Sequence, residues 1–160
     1  MSVSATWALR LNVRETLVTD VDAASNPIIN HTGFSSGDTI NASSTVPATE
    51  VSADTWALSG GAVTIDLTSL PGTNGTTIDA TGLKVQLFKV KNLGAAAMTF
   101  TEGASNGYAL LGASFQFILA QNQELMLYLV DSAPDVGSTD KTIDVAGTSS
   151  QTFELILVVG

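Results

Sequence analysis

A chain of 160 residues fits one domain and can bury roughly two-thirds of the surface that its unfolded form exposes, so it needs no staple to hold a core. It has no cysteine, which removes disulfides, thiolate metal sites and thiol nucleophiles together. Only 13% of residues are charged against 44% hydrophobic, and the formal net charge of -9 opposes nucleic-acid phosphates and anionic membrane surfaces.

The first residues, MSVSATWALRLNVRETLV, lack the basic-then-apolar order of an export signal, and no apolar run reaches the length of a membrane helix. From there the apolar residues recur with period two, punctuated by Gly, Asn, Asp, Pro and Ser, which is the pattern of an all-β sandwich or barrel. Strands are predicted over residues 5–13, 15–21, 37–42, 49–58, 62–68, 82–91, 97–102, 113–119, 124–130, 141–146 and 151–159. Residues 22–37 read as the longest irregular connection and 69–77 as a turn-rich loop, neither of them a linker, so residues 1–160 are expected to form one domain. The echoes TWAL and TID recur at irregular spacing, which argues for similar strand environments rather than a repeat array. An apolar strand that ends one residue before the C-terminus suggests a whole gene product rather than an excised module.

Charge and phase set two of these strands apart. In LRLNVR, Leu9, Leu11 and Val13 alternate with Arg10, Asn12 and Arg14. In LKVQLFKVK the alternation breaks, because Leu83, Val85 and Leu87 share one parity and Val90 the other. An unbroken strand would carry Lys89 and Lys91 inward, so a bulge near Leu87 and Phe88 is expected, with Lys84, Gln86, Lys89 and Lys91 outward. Five of the six basic residues, Arg10, Arg14, Lys84, Lys89 and Lys91, then form a stripe, either a solvated face or a docking surface for an acidic neighbour. LMLYLV and LILVV are apolar on both parities, so Met126, Tyr128, Val130, Ile156 and Val158 need cover from a second layer or another subunit.

Catalytic signatures do not emerge. GASNG fits the nucleophile-elbow pattern at Ser105, yet a strand rather than a helix follows it, and the single histidine, His31, lies upstream without partners at metal-ligand spacing. Asp131, Asp135 and Asp140 share one loop without a calcium-loop signature and read as an acidic turn.

GLKVQLFKVKN, followed by EGASNGYALLG, QELMLYLVD and TIDVAGT, resembles small β-sandwich structural proteins encoded with tailed-phage particles, over residues 50–160. The resemblance implies a jelly-roll-like antiparallel β-sandwich, oligomeric on a particle, that acts by binding rather than catalysis. It would be a virion protein, a head decoration (cement) or coat subunit, whose partners are its own copies, with a trimer among the candidate states, and a capsid or other virion protein. A reading from another class is a carbohydrate-binding module on a phage tail or cell surface, with Trp7, Trp56, Tyr108 and Tyr128 as candidate platforms. Neither reading calls for a catalytic residue, metal, cofactor, nucleic acid or membrane.

Overall fold

Period-two patterning becomes strand along most of residues 2–16 and 28–160, the residues described in the computed structural model. They fall into two units, Met1–Ser4 with Ile40–Gly160, and Ala5–Thr39. The second unit is built on a two-stranded sheet of β1 (Ser4–Thr16) and β2 (Ile28–Asn41). Its strands run antiparallel, since Thr6 Oγ1 and Thr39 Oγ1 are hydrogen-bonded at 2.8 Å near one end and His31 Nε2 meets Glu15 Oε2 at 3.3 Å near the other. Pairing parity changes between those two contacts. Gly33, at φ 98°, lies between them in a left-handed conformation that glycine adopts without strain, where an extra residue can be absorbed.

Two predictions change here. Residues 28–36, expected to be irregular, are strand, and β1 continues through Arg14 to Thr16 instead of breaking there. Residues 17–21 of the predicted second strand lie outside the described residues.

The first unit follows its predicted strands closely, with boundaries moved by no more than three residues. In order they are β3 (Glu50–Ala57), β4 (Ala62–Asp66), the short pair β5 (Leu70–Pro71) and β6 (Thr77–Ile78), β7 (Val85–Asn92), β8 (Met98–Glu102), β9 (Gln116–Leu119), β10 (Glu124–Tyr128), β11 (Thr142–Ala146) and β12 (Thr152–Val159). One sheet has the order β10-β7-β12-β3 and the other β4-β11-β8-β9. Leaving out β5 and β6, the pairs are nested: β3 with β12, β4 with β11, β7 with β10 and β8 with β9, all antiparallel. A chain folded back on itself and rolled so that alternate rungs enter opposite sheets gives this order, and the result is a jelly-roll β-sandwich.

Five phenylalanines join the two sheets. Phe88 of β7 meets Phe117 of β9 edge-on at 6.1 Å, and Phe117 stacks on Phe100 of β8 at 4.9 Å and on Phe115 at 6.1 Å. Phe100 then meets Phe153 of β12 edge-on at 5.5 Å. Ile65, Ile143, Leu155 and Leu157 are fully buried in the same cluster. Burying a side chain of this size stabilises by about 1.5–3 kcal/mol, so the cluster dominates the stability of the sandwich.

Two buried amides fix the sheet ends. Asn92 Nδ2 donates to the carbonyls of Ala96, Leu119 and Ala120, and Asn92 Oδ1 accepts from Gly94 N at 2.7 Å, which ties the β7–β8 and β9–β10 turns together. The second amide, Gln86, marks the change of phase in β7. Val158 faces Leu87 and Val159 faces Val85, so Gln86 is the extra residue of a β-bulge. The bulge therefore stands one residue before the predicted position, with a physical consequence: Phe88 enters the core and Leu87 joins the face that carries Lys89 and Lys91. Gln86 itself is fully buried. Its Nε2 donates to Gly160 O at 3.1 Å and its Oε1 accepts from Asp131 N at 3.2 Å, so the expected outward position of its side chain is corrected.

Candidate functional site

Three cross-strand rows make up the face of the β10-β7-β12-β3 sheet that turns away from the phenylalanine core. They read Glu124-Lys91-Glu154-Thr55, Met126-Lys89-Ile156-Ala53 and Tyr128-Leu87-Val158-Val51. The alternate rows, such as Leu127-Phe88-Leu157, supply the core. This division explains why LMLYLV and LILVV are apolar on both parities: one parity fills the sandwich and the other builds a second apolar face.

The predicted interface residues are placed unevenly on it. Met126 and Tyr128 are partly exposed and Ile156 is 38% exposed, whereas Val158 and its neighbour Leu87 are buried. Val130 lies beyond the end of β10, 59% exposed, at φ 48°. A left-handed β-branched residue is strained, and here the strain sits in a turn held by Ser132 N donating to Leu129 O at 2.8 Å and by the Gln86 amide.

The predicted basic stripe is divided between the two units, Arg10 and Arg14 in β1 and the three lysines in or beside β7. Lys84 Nζ meets Asp131 Oδ1 at 3.2 Å, and Lys89 Nζ meets Glu124 Oε2 at 3.8 Å. Hydrogen bonds from Lys84 and Gln86 hold the Asp131 carboxyl below the usual carboxylate range. Arg10, Arg14 and Lys91 form no ion pair among the described residues. The sixth cation, Lys141, pairs with Asp66 at 3.1 Å. Burial raises the Asp66 carboxyl, but hydrogen bonds from the Thr68 hydroxyl, the Thr68 N–H and Lys141 outweigh it, so the group ends below its ordinary value.

A second apolar surface lies on the ribbon. Leu9 is 62% exposed, Leu11 56%, Val13 45%, Ile28 47% and Ile29 40%, so the described residues leave them only partly covered. Leu9, Leu11 and Val13 share a parity, and Arg10 and Arg14 take the other, as predicted for an uninterrupted strand. The exposed isoleucines fall within residues 22–37, whose Ser, Gly and Asn content gives the pattern of an irregular connection and so hides them.

Of the predicted glycan platforms, Tyr108 cannot be one. It is fully buried, its hydroxyl donates to Pro134 O at 2.8 Å and accepts from Val85 N at 3.1 Å, and burial pushes its pKa up to about 12. Trp7 is half-buried in β1. Trp56 stacks on Phe153 at 6.4 Å and lines a shallow groove with Asp54, Leu70, Pro71 and Thr76. Ser105 is exposed in a turn whose carbonyls at Ser105 and Asn106 accept from the Thr142 hydroxyl. Among the described residues no group of three His, Asp or Glu side chains converges as metal ligands, and no helix is long and apolar enough to cross a membrane. Compared with known proteins, the chain matches no family model, no curated protein and no solved structure.

Proposed function

We propose that this chain is a non-enzymatic structural subunit of a particle of the virion type, a capsid decoration or coat protein that acts by binding its own copies and a neighbouring shell protein. One observation carries the reading: Met126, Tyr128 and Ile156 stand partly exposed on a sheet whose other face is already filled by the core. Apolar surface of this kind, crossed by the Lys89–Glu124 pair and rimmed by Lys91 and Glu154, supports a subunit contact. The fold alone would not carry it, since jelly rolls also serve as lectins and cupins.

Arg10, Arg14 and Lys91, which lack ion pairs among the described residues, supply the charge for docking against acidic surface, with Lys84 and Lys89 held in local pairs. Exposed pairs contribute about 0–1 kcal/mol each, so they act mainly on encounter rate. Arg10→Glu combined with Lys91→Glu should slow association and reduce its salt dependence while the circular dichroism spectrum stays β-type. Unchanged association at low salt would reduce these cations to a role in solubility.

A glycan-binding module is the second reading, favoured by Trp56. Its indole N–H is buried without a hydrogen-bond partner among the described residues, beside a groove that also offers the Asp54 carboxylate and the hydroxyls of Thr76 and Thr77. A glycan array separates the two: sugar binding that disappears in Trp56→Ala supports the module, and no binding by an assembled wild-type protein supports the structural subunit.

A further inference from the structure

We propose that the Asn74–Gly75 turn is a site of spontaneous asparagine deamidation, and that the fold shields the chain's other Asn-Gly pair, Asn106–Gly107, from the same reaction. The proposal does not depend on the assembly reading above.

Asn-Gly pairs favour this chemistry because glycine has no Cβ to hinder its nitrogen. The glycine N–H gives up its proton, and the nitrogen attacks the side-chain amide carbon of the asparagine. A new C–N bond forms, the bond to the amide nitrogen breaks, and that nitrogen leaves with the proton as ammonia. Water then opens the cyclic imide at either carbonyl, leaving aspartate or isoaspartate with one added negative charge.

Local sequence hardly separates the two pairs, which read TNGT and SNGY. Their surroundings do. Asn106 is left-handed at φ 56°, a conformation that sets the next nitrogen nearly opposite Cβ and so away from the carbon it would attack. Its carbonyl accepts from Lys141 N at 2.8 Å, Thr142 N at 2.9 Å and Thr142 Oγ1 at 3.0 Å, so the peptide that would have to rotate is pinned to the start of β11. Gly107 is hemmed in as well, since a Cβ there would stand 2.4 Å from Gly103 O and 2.5 Å from Glu102 Cγ.

Asn74 lies in a single 3-10 turn, Thr73–Gly75, between the two-residue strands β5 and β6. Dihedrals of that kind bring the next nitrogen closer to Cβ than left-handed ones do. Thr76 N closes the turn onto Thr73 O at 3.4 Å, long for such a bond, with Thr76 Oγ1 donating to the same oxygen at 2.9 Å. Gly75 is exposed, with nothing within 4 Å of where a Cβ would stand. A turn on so short a ladder opens at lower cost than a peptide tied into β11, and the reaction proceeds from the opened form. Location gives it a consequence: Gly75 and Thr76 line the groove beside Trp56 and Asp54, so deamidation adds negative charge to the turn that walls this groove.

Peptide mapping by mass spectrometry of the full chain, aged in mildly alkaline buffer with and without urea, tests the proposal. In folded protein residue 74 should convert about tenfold or more faster than residue 106, and in urea the two should convert at similar rates, because only the fold distinguishes them. Asn74→Gln should abolish the more acidic species that ion exchange resolves in aged wild type, with a β-type circular dichroism spectrum retained. Conversion at residue 106 as fast as at 74 in the folded chain overturns the proposal, and so does a folded chain in which neither converts or an acidic species that survives Asn74→Gln. A rate difference of the same size in urea also overturns it, by assigning the difference to local sequence.

Discussion

Gln86 has no solvent exposure, and its amide serves two elements at once, the C-terminal Gly160 carbonyl and the Asp131 N–H in the turn after β10. Gln86→Leu should leave the Asp131 N–H unmet and take from the Gly160 carbonyl one of its two donors, the other being Lys84 N, and cost about 1 kcal/mol, read as a lower urea midpoint at unchanged slope. At Asp66 the dependence is on acid. Its folded pKa lies below 3.8, so the stabilisation from Thr68 and Lys141 is fully present above the unfolded value and is lost as pH falls through the folded one. Asp66→Asn should therefore be less stable than wild type by about 0.5–1 kcal/mol at neutral pH, a small figure because the pair is partly exposed, with the difference closing below about pH 4. Urea titrations at neutral and acid pH check it. The change of phase in β7 was legible at this scale, because lysines cannot be buried unpaired. Its location was not, since the sequence does not reveal that Gly160 and Asp131 converge to satisfy a buried glutamine.

At the scale of elements, alternation located the strands of the sandwich, and their ends moved because turns trim them. The ribbon was half legible. LRLNVR announces its own two faces, but INHTGFSSGD has the Ser, Gly and Asn content of a loop, and it becomes strand only because β1, far upstream in sequence, supplies its hydrogen-bonding partner. Of the candidate interface, Met126, Tyr128 and Ile156 could be read from double-parity runs, whereas the burial of Val158 and Leu87 depends on packing that no local pattern shows. The turn after β10 offers a separate test. Val130 at φ 48° is strained by about 1–2 kcal/mol, which offsets the usual cost of glycine, so Val130→Gly should leave stability unchanged or raise it by up to about 1 kcal/mol. A loss well above 1 kcal/mol in urea unfolding would mean that the valine side chain, and not the turn, matters to the monomer.

The whole molecule carries what the sequence could not order. Nested pairing of β3 with β12 joins residues about a hundred positions apart, and a fold dominated by such contacts forms only after long loops close. Pattern reading gives the strands of a jelly roll without their neighbours, and it does not separate an apolar face packed by the chain itself from one left partly bare. That question is central here, because a chain with 44% hydrophobic and 13% charged residues leaves a ribbon and a sheet face partly bare. The most direct measurement is the native mass of the purified protein by light scattering at micromolar concentration, beside that of Met126→Glu. The account predicts a wild-type mass that is a multiple of 16.5 kDa and a variant of lower mass with the same β-type circular dichroism spectrum; a wild-type protein that remains a monomer at 16.5 kDa would contradict it.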